Sequence, residues 1–173
     1  MSSKILIAYF SRPGNNYADG SIVNLPVGNT EIAAKKLQNL TSSSLFKIAP
    51  VNQYSEDYHT CTEQAQKELR ADARPELSKH LDSIDGYNTI ILGFPNWWGT
   101  MPMPVWTFLE LYDFSGKTIL PLCTNEGSGM GKSEADIRKL CPTADVKHGL
   151  AVRGSGVGNS DRELEKWIQK VGL

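Results

Sequence analysis

The chain has 173 residues, with 18 lysines and arginines against 19 aspartates and glutamates, so its formal net charge is −1. Hydrophobic residues make up 40% of it and charged residues 21%, which excludes a disordered chain and predicts a single globular domain over residues 1–173. The balanced charge argues against a nucleic-acid-binding protein, which usually carries a basic excess, and also against a strongly acidic surface.

Cysteine and histidine patterns exclude a disulfide framework and give no metal motif. The cysteines are odd in number with no Cys-x-x-Cys spacing, and the histidines are scattered, which fits a reducing compartment. No apolar run approaches the roughly 20 residues of a membrane span, and the first run is too short for a signal peptide. We therefore expect a cytoplasmic protein without a membrane segment. The residues concerned are Cys61, Cys123, Cys141, His59, His80 and His148.

Short apolar runs that end at turn residues predict five buried strands. Apolar residues at helical spacing between and after these runs predict five helices, the last opening with a capping box from Ser160 to Glu163. Residues 12–27 are rich in Gly, Pro and Asn, and we expect an inserted loop there, either a lid or a solvated excursion. In chain order the predicted strands cover 5–10, 45–48, 89–94, 118–123 and, more weakly, 148–152, and the helices lie near 33–40, 56–74, 105–112, 137–141 and 164–171.

The resulting order, a strand followed by a helix five times over, predicts a parallel sheet covered by helices on both faces. Ligands of such sheets bind at the carboxyl ends of the strands, where the strand order reverses. The loops after the first, third and fourth strands are therefore the candidate site.

The first of these loops has the composition of an anion site. Ser11 ends the first strand, and Gly28, Asn29 and Thr30 open the following helix. Free backbone N–H groups and the positive end of a helix favour a phosphate, and the two hydroxyls add donors. The alternative is a plain N-cap at Asn29 or Thr30.

The second loop carries two adjacent tryptophans, Trp97 and Trp98, followed by Gly99. Large aromatic side chains at this edge of a sheet stack on planar ligands, and a glycine lets backbone approach them. We expect one tryptophan to pack into the core and favour Trp97 as the one that faces the ligand.

The third loop, residues 124–133, is glycine-rich but does not have the spacing of a Walker phosphate loop, so an NTPase is a minor alternative. Read as a glycine-rich edge, it offers backbone groups to a flat heterocycle. Residues 154–158 have a similar composition and either offer a second edge of this kind or form only a flexible turn.

Together the three loops resemble those of the flavodoxin-like family that binds FMN, and the segment from Pro95 to Pro102 resembles the flavin loop of a bacterial flavodoxin and NAD(P)H-dependent oxidoreductase subgroup. The resemblance covers essentially the whole chain and implies a three-layer α/β sandwich with a five-stranded parallel sheet in the order 2-1-3-4-5. It also implies that Tyr54 and Tyr58 cap the pocket, or else only pack locally. The FMN contacts that it implies are Ser11, Asn29 and Thr30, with Arg12 beside them, at the phosphate; Pro95, Asn96, Trp97, Trp98 and Gly99 at the ring; and Thr124, Gly127 and Ser128 at the other edge.

Three functions fit this resemblance: an electron carrier that docks on protein partners, an FMN-dependent reductase of NAD(P)H, quinones or similar small molecules, and a flavin-free interaction module. The flavin would carry the redox chemistry, and no catalytic acid, base or nucleophile is evident. Cys123 lies within an apolar strand and is predicted to be buried and inert. A charge of −1 weakens the carrier hypothesis, since carriers of this family tend to be strongly acidic.

Overall fold

A computed structural model describes residues 4–173. The strands are β1 (Ile5–Tyr9), β2 (Gly14–Ala18), β3 (Ser21–Leu25), β4 (Ser44–Lys47), β5 (Thr89–Pro95), β6 (Thr118–Asn125), β7 (Asp145–Val146) and β8 (Leu150–Arg153). The helices are α1 (Asn29–Thr41), α2 (Tyr58–Arg70), α3 (Met103–Leu111), α4 (Ser133–Leu140) and α5 (Asp161–Lys170), and a 3₁₀ helix covers Gly154–Asn159. No helix of this part of the chain is both long and apolar enough to cross a membrane.

The central sheet is parallel and runs in the order β4-β1-β5-β6, with β7 and β8 both pairing with β6. This is the predicted 2-1-3-4-5 order, but the last position is shared by two short strands, so the sheet has six strands rather than five. Pro121 of β6 lies between the two pairings and has no N–H to donate to a ladder. Gly149 passes Pro121 so closely that a Cβ would lie 2.5 Å from the Pro121 carbonyl oxygen.

Both faces of the sheet are buried under helices, which is why its strands are continuously apolar. Successive residues of β1 point to opposite faces: Ile5 and Ile7 pack with α1 and α5, whereas Leu6 and Ala8 pack with α3 and α4. Trp167 of α5 is buried in the first of these layers. The predicted three-layer sandwich is confirmed.

Residues 12–27 form an antiparallel β-hairpin, so the prediction of a loop there is wrong. The strands β2 and β3 are joined by the two-residue turn Asp19-Gly20, whose φ angles of 51° and 87° fit a type I′ turn. The Asn15 N–H donates to the Glu56 carbonyl at 3.1 Å and ties the hairpin to the segment before α2. The inserted segment is thus ordered and lies beside the carboxyl edge of the sheet.

The predicted capping box of α5 does not form. Ser160 has φ −86° and ψ 1°, not the extended backbone of an N-cap, and its hydroxyl donates to the Val157 carbonyl at 2.6 Å. The reason is that the 3₁₀ helix over 154–159 continues directly into α5. The Ser160 hydroxyl therefore bonds to a carbonyl of the 3₁₀ helix instead of capping α5. Of the two alternatives for residues 154–158, the flexible turn is wrong, because these residues form that 3₁₀ helix, and Gly154 lines a cavity at the sheet edge.

Candidate functional site

A cavity of about 520 Å³ opens at the carboxyl ends of β1, β5 and β6. Its floor is polar and deeply placed, since Ser11, Thr30 and Thr124 are all buried. The Thr30 and Thr124 hydroxyls lie 2.7 Å apart and join α1 to the end of β6. The predicted residues that line this cavity are Ser11, Arg12, Asn29, Thr30, Pro95, Asn96, Trp97, Trp98, Thr124 and Ser128, together with Tyr58.

The start of α1 forms a cradle of neutral hydrogen-bond donors, here called the α1 cradle: Ser11, Gly28, Asn29 and Thr30. Gly28 is the N-cap and makes no side-chain capping bond, so the plain cap at Asn29 or Thr30 is wrong. Ser11 Oγ instead accepts from the Glu31 N–H at 3.0 Å, which leaves its own proton for a ligand. Among the described residues, no protein acceptor meets the N–H groups of Asn29 and Thr30.

Only glycine fits at position 28. A Cβ there would lie 2.2 Å from Ser11 Oγ and 2.8 Å from the Arg12 carbonyl oxygen. Because of this close approach, the end of β1 packs against the start of α1. The hydrogen-bond donors of Ser11 and of the first α1 residues therefore lie close together. Oriented N–H groups at a helix N-terminus and adjacent hydroxyls are the donor set that a phosphate takes, so the cradle fits the phosphate of FMN.

Glu31, in the first turn of α1, is directed to other partners. Its carboxylate accepts from the Tyr9 hydroxyl at 2.9 Å and faces Lys47 and Lys35. Burial alone would raise the pKa of Glu31, but the Tyr9 hydrogen bond and the two ammonium groups outweigh it and hold that pKa below its usual range. The carboxylate therefore stays charged, and it is not among the residues that line the cavity.

Arg12 lines the cavity, but its guanidinium is already engaged. Its nitrogens donate to the carbonyls of Asn15, Ser55 and Glu56 at 2.5–3.2 Å. The side chain thus fastens the hairpin to the segment before α2. Arg12 therefore stabilises the wall of the cavity that it lines. The α1 cradle itself offers only neutral hydrogen-bond donors to a phosphate.

The two tryptophans take different positions. Trp97 is the one that packs inward, in edge-on contact with Phe10 and Tyr54 at centroid distances of 5.1 and 4.9 Å, and it still lines the cavity. Trp98 is 49% exposed and donates its Nε1 proton to the Thr62 carbonyl at 2.9 Å. The expectation that one of the two tryptophans packs inward holds for Trp97, which also lines the cavity, so Trp97 as the tryptophan that faces the ligand stays a prediction.

Gly99 and Gly127 do not line the cavity, contrary to prediction. Their N–H groups donate within their own loops, to the side-chain oxygens of Asn96 at 2.9 Å and Asn125 at 2.8 Å. Asn96 also donates to the Gly129 carbonyl at 2.8 Å and so ties the two loops together. Side-chain turns of this kind consume the backbone donors that a ligand would otherwise meet.

Sequence reasoning missed the outer part of the cavity because it treated residues 12–27 as a loop. The hairpin and α2 supply most of this part, and Tyr58, the first residue of α2, lies in it, whereas Tyr54 stands behind Trp97. The Asp19-Gly20 pair is the signal that predicts a hairpin, and it would have placed Tyr17 on a strand. The unpredicted lining residues are Asn16, Tyr17, Cys61, Thr62, Ala65, Asn125, Glu126 and Gly154.

Tyr54 and Glu68 form a half-buried pair that supports Trp97 from behind. The Tyr54 hydroxyl donates to Glu68 Oε2 at 2.9 Å. Burial raises the pKa of Glu68 despite this hydrogen bond, and burial and the carboxylate together raise the pKa of Tyr54 far above its usual range. The pair fixes the ring against which Trp97 packs.

The three cysteines are expected to react slowly with a thiol reagent in the native protein. All three are buried and free, and burial raises the pKa of Cys123 to about 12 and those of Cys61 and Cys141 to about 11. The thiolate is the reactive form, so at about pH 8 nearly all three groups stay protonated. Titration with DTNB should find almost no fast-reacting thiol in the native chain and three after denaturation; a fast native equivalent would contradict the burial.

The fold is a doubly wound α/β sheet with its cavity at the switch point between β1 and β5, where the strand order reverses. The chain belongs to the flavodoxin family: the profile of the family described as Flavodoxin matches residues 4–171.

Solved structures of similar proteins agree with this family. Proteins assigned as flavoproteins from Bacteroides uniformis and Bacteroides eggerthii are 28% and 26% identical to this chain, with TM-scores of 0.76 and 0.78. The alignments cover 98% and 99% of this chain and 99% of each of theirs. A Lactobacillus acidophilus flavoprotein solved in complex with FMN is 19% identical, with a TM-score of 0.62 over 91% of this chain and 98% of its own, and shows the shared fold. A search of curated proteins found no match.

Proposed function

We propose that this chain is an FMN-binding redox protein that transfers electrons through the bound flavin. The observation that carries the proposal is that Ser11, Asn29 and Thr30 of the α1 cradle line one cavity together with Trp97. FMN is a phosphate joined to a flat heterocycle, and it needs both features in one site. The membership in the flavodoxin family and the FMN complex of the similar Lactobacillus acidophilus protein support this choice.

In this proposal Ser11 and the N–H groups of Asn29 and Thr30 hold the phosphate without a cation. Bound FMN supplies the electron-transfer chemistry. Trp97 forms an apolar wall that excludes water from one side of the ring site. An apolar wall disfavours additional negative charge, so we expect the protein to lower the reduction potential of its cofactor. At the other edge of the site lie Thr124 and Ser128, with Pro95 and Asn96 at the loop that carries Trp97.

A reductase of small molecules is the second candidate. It is favoured by the outer part of the cavity, where Tyr17, Tyr58 and Trp98 extend the site beyond the cradle. The balanced charge of −1 also provides little long-range attraction for a basic protein partner. The electron acceptor is therefore either a redox partner protein or a small molecule. The three free cysteines fit a cytoplasmic location.

The test is the cofactor itself. The purified protein, or the apoprotein after addition of FMN, is expected to be yellow and to release FMN rather than FAD on denaturation, because the cradle is a single cluster of donors and FMN carries a single phosphate. Chromatography of the released flavin identifies it. A colourless protein that takes up no added FMN would contradict the proposal.

A further inference from the structure

A tyrosine–carboxylate pair, Tyr54 and Glu68, stands directly behind the cavity wall. The Tyr54 ring lies edge-on against the Trp97 ring at a centroid distance of 4.9 Å and an interplanar angle of 87°. The Tyr54 hydroxyl donates to Glu68 Oε2 at 2.9 Å. Trp97 lines the cavity, whereas neither member of the pair does. The pair thus reaches the cavity through the Trp97 ring, and none of the proposed phosphate and ring contacts uses it.

The surroundings of the pair are apolar and favour its uncharged forms. Phe10 is 2% exposed and packs edge-on against both aromatic rings, at 5.9 Å from Tyr54 and 5.1 Å from Trp97. Among the described residues, no cation forms an ion pair with Glu68, and burial raises its pKa despite the hydrogen bond from Tyr54. A carboxylate that is half-buried without a cation readily takes a proton.

The geometry suits a tyrosine that loses an electron and a proton together. A tyrosine ring that loses one electron becomes a strong acid, and a charged radical is costly where water is excluded. A base at about 2.6–3.2 Å from the hydroxyl oxygen can take the proton, and Glu68 lies within that reach. The electron leaves in the other direction, through the ring contact with Trp97.

For its natural oxidant the inference rests on the proposed function, because a flavin ring excited by light is a one-electron oxidant. We propose that Tyr54 and Glu68 form a proton-coupled electron-donor site, which reduces the Trp97 ring after such an oxidant in the cavity has removed an electron from it. The Trp97 radical cation takes one electron from Tyr54, and the Tyr54 hydroxyl proton passes to Glu68 Oε2. The products are a neutral indole, a neutral tyrosyl radical and a neutral carboxylic acid, so electrons, protons and charge balance. The oxidising equivalent thereby leaves the cavity lining.

A second tyrosine–carboxylate pair in the same chain provides a matched control. Tyr9 donates to Glu31 Oε1 at 2.9 Å, the same distance as in the first pair. Tyr9 packs on the opposite face of the sheet, however, and has no ring contact with another aromatic residue of the described chain. Glu31 also faces Lys35 and Lys47, which favour its charged form, so it is a weaker base than Glu68. This pair has the hydrogen bond without the path for the electron.

Pulse radiolysis of the flavin-free chain in azide solution tests the pair without the cofactor, because the azidyl radical is a one-electron oxidant that attacks tryptophan. A parent variant with Trp98→Phe and Trp106→Phe directs this attack to Trp97, since Trp167 is buried. We expect the absorption of the tryptophan radical to decay as that of the tyrosyl radical appears, and more slowly in heavy water than in ordinary water.

Two conservative variants of this parent test the two members of the pair. Tyr54→Phe keeps the packing of the ring and should remove the tyrosyl signal that follows the tryptophan decay. Glu68→Gln keeps a hydrogen-bond acceptor but removes the base, and it should slow the transfer by about 100-fold. The control variants Tyr9→Phe and Glu31→Gln should change neither the signal nor its rate. Circular dichroism shows that each variant keeps its helical content.

Three results would overturn the inference. These are a tyrosyl signal that persists in Tyr54→Phe, an unchanged transfer rate in Glu68→Gln, and equal rates of the parent in heavy and ordinary water. The last of them needs no substitution in the pair, so it applies even where a variant does not fold. Failure of the chain to bind FMN overturns the proposed function and the flavin as natural oxidant, whereas the azidyl experiment decides on the pair by itself.

Discussion

Replacing Gly28 by alanine is expected to raise the Kd for FMN by about 100-fold, which corresponds to about 2.7 kcal/mol. The added Cβ would meet both the Ser11 hydroxyl and the backbone of Arg12, at 2.8 Å from its carbonyl oxygen and 2.9 Å from its nitrogen. The hydroxyl can rotate away, but the backbone is held by the bonds of the Arg12 side chain. Gly28 must therefore retreat and carry the N–H groups of Asn29 and Thr30 away from the phosphate. Quenching of FMN fluorescence on titration of the apoprotein gives the Kd.

The matched control is Gly156→Ala. Gly156 lies in the 3₁₀ helix, it has no positive φ, and a Cβ there would have no atom within 4 Å. It should bind FMN like the unmodified protein. Circular dichroism of each variant shows whether the protein keeps its helical content. A folded Gly28→Ala variant with the original FMN affinity would show that the cradle does not hold the phosphate.

Truncating two tryptophans should separate binding from stability. Trp97→Ala is expected to weaken FMN binding by about 1–3 kcal/mol, the value of one heterocycle stacked on an aromatic side chain. Trp167→Ala should instead lower the free energy of unfolding by about 3–5 kcal/mol, because it leaves a void between α5 and the sheet. FMN titration and urea denaturation, each applied to both variants, give the two quantities.

Two conservative variants sharpen this comparison. Trp97→Phe keeps an aromatic face toward the cavity and should retain more FMN affinity than Trp97→Ala. The Trp167 Nε1 proton has no hydrogen-bond partner in the part of the chain that the structure describes. Trp167→Phe removes that buried donor and should cost much less stability than Trp167→Ala. Equal FMN affinities in the two alanine variants would mean that Trp97 does not contact the ring.

The central strands could be predicted from sequence because their burial on both faces leaves continuous apolar runs. The hairpin could not be found from the composition that suggested a loop, because Asn15 and Asn16 interrupt any alternation of apolar and polar residues. Its signal is the local pair Asp19-Gly20, whose two positive φ angles join the strands. The division of the last strand position between β7 and β8 depends on Pro121 in the neighbouring strand β6. The sequence of residues 145–153 alone therefore does not predict it.

At the site, residue types could be predicted but side-chain directions could not. The cradle is a local arrangement of small residues at a helix start, and its positions follow from the sequence. The orientations of Trp97 and Trp98 depend on distant partners, Tyr54 for the first and the Thr62 carbonyl for the second. Gly127 does not line the cavity, and its N–H group is taken by a side-chain turn, which a glycine-rich composition does not reveal.

The hairpin is inserted within the cradle itself, between Ser11 and Gly28. A two-stranded ribbon is at best marginally stable alone, so this one depends on the bonds of Arg12 and on the contact between Tyr17 and Tyr58. Local opening of the ribbon would break the Arg12 bonds and displace the part of the cavity wall that Arg12, Asn16 and Tyr17 form. A ligand that binds only the closed form must stabilise the ribbon by mass action. Retention of the cofactor and protection of the hairpin amides from hydrogen exchange thus both depend on the population of the closed hairpin.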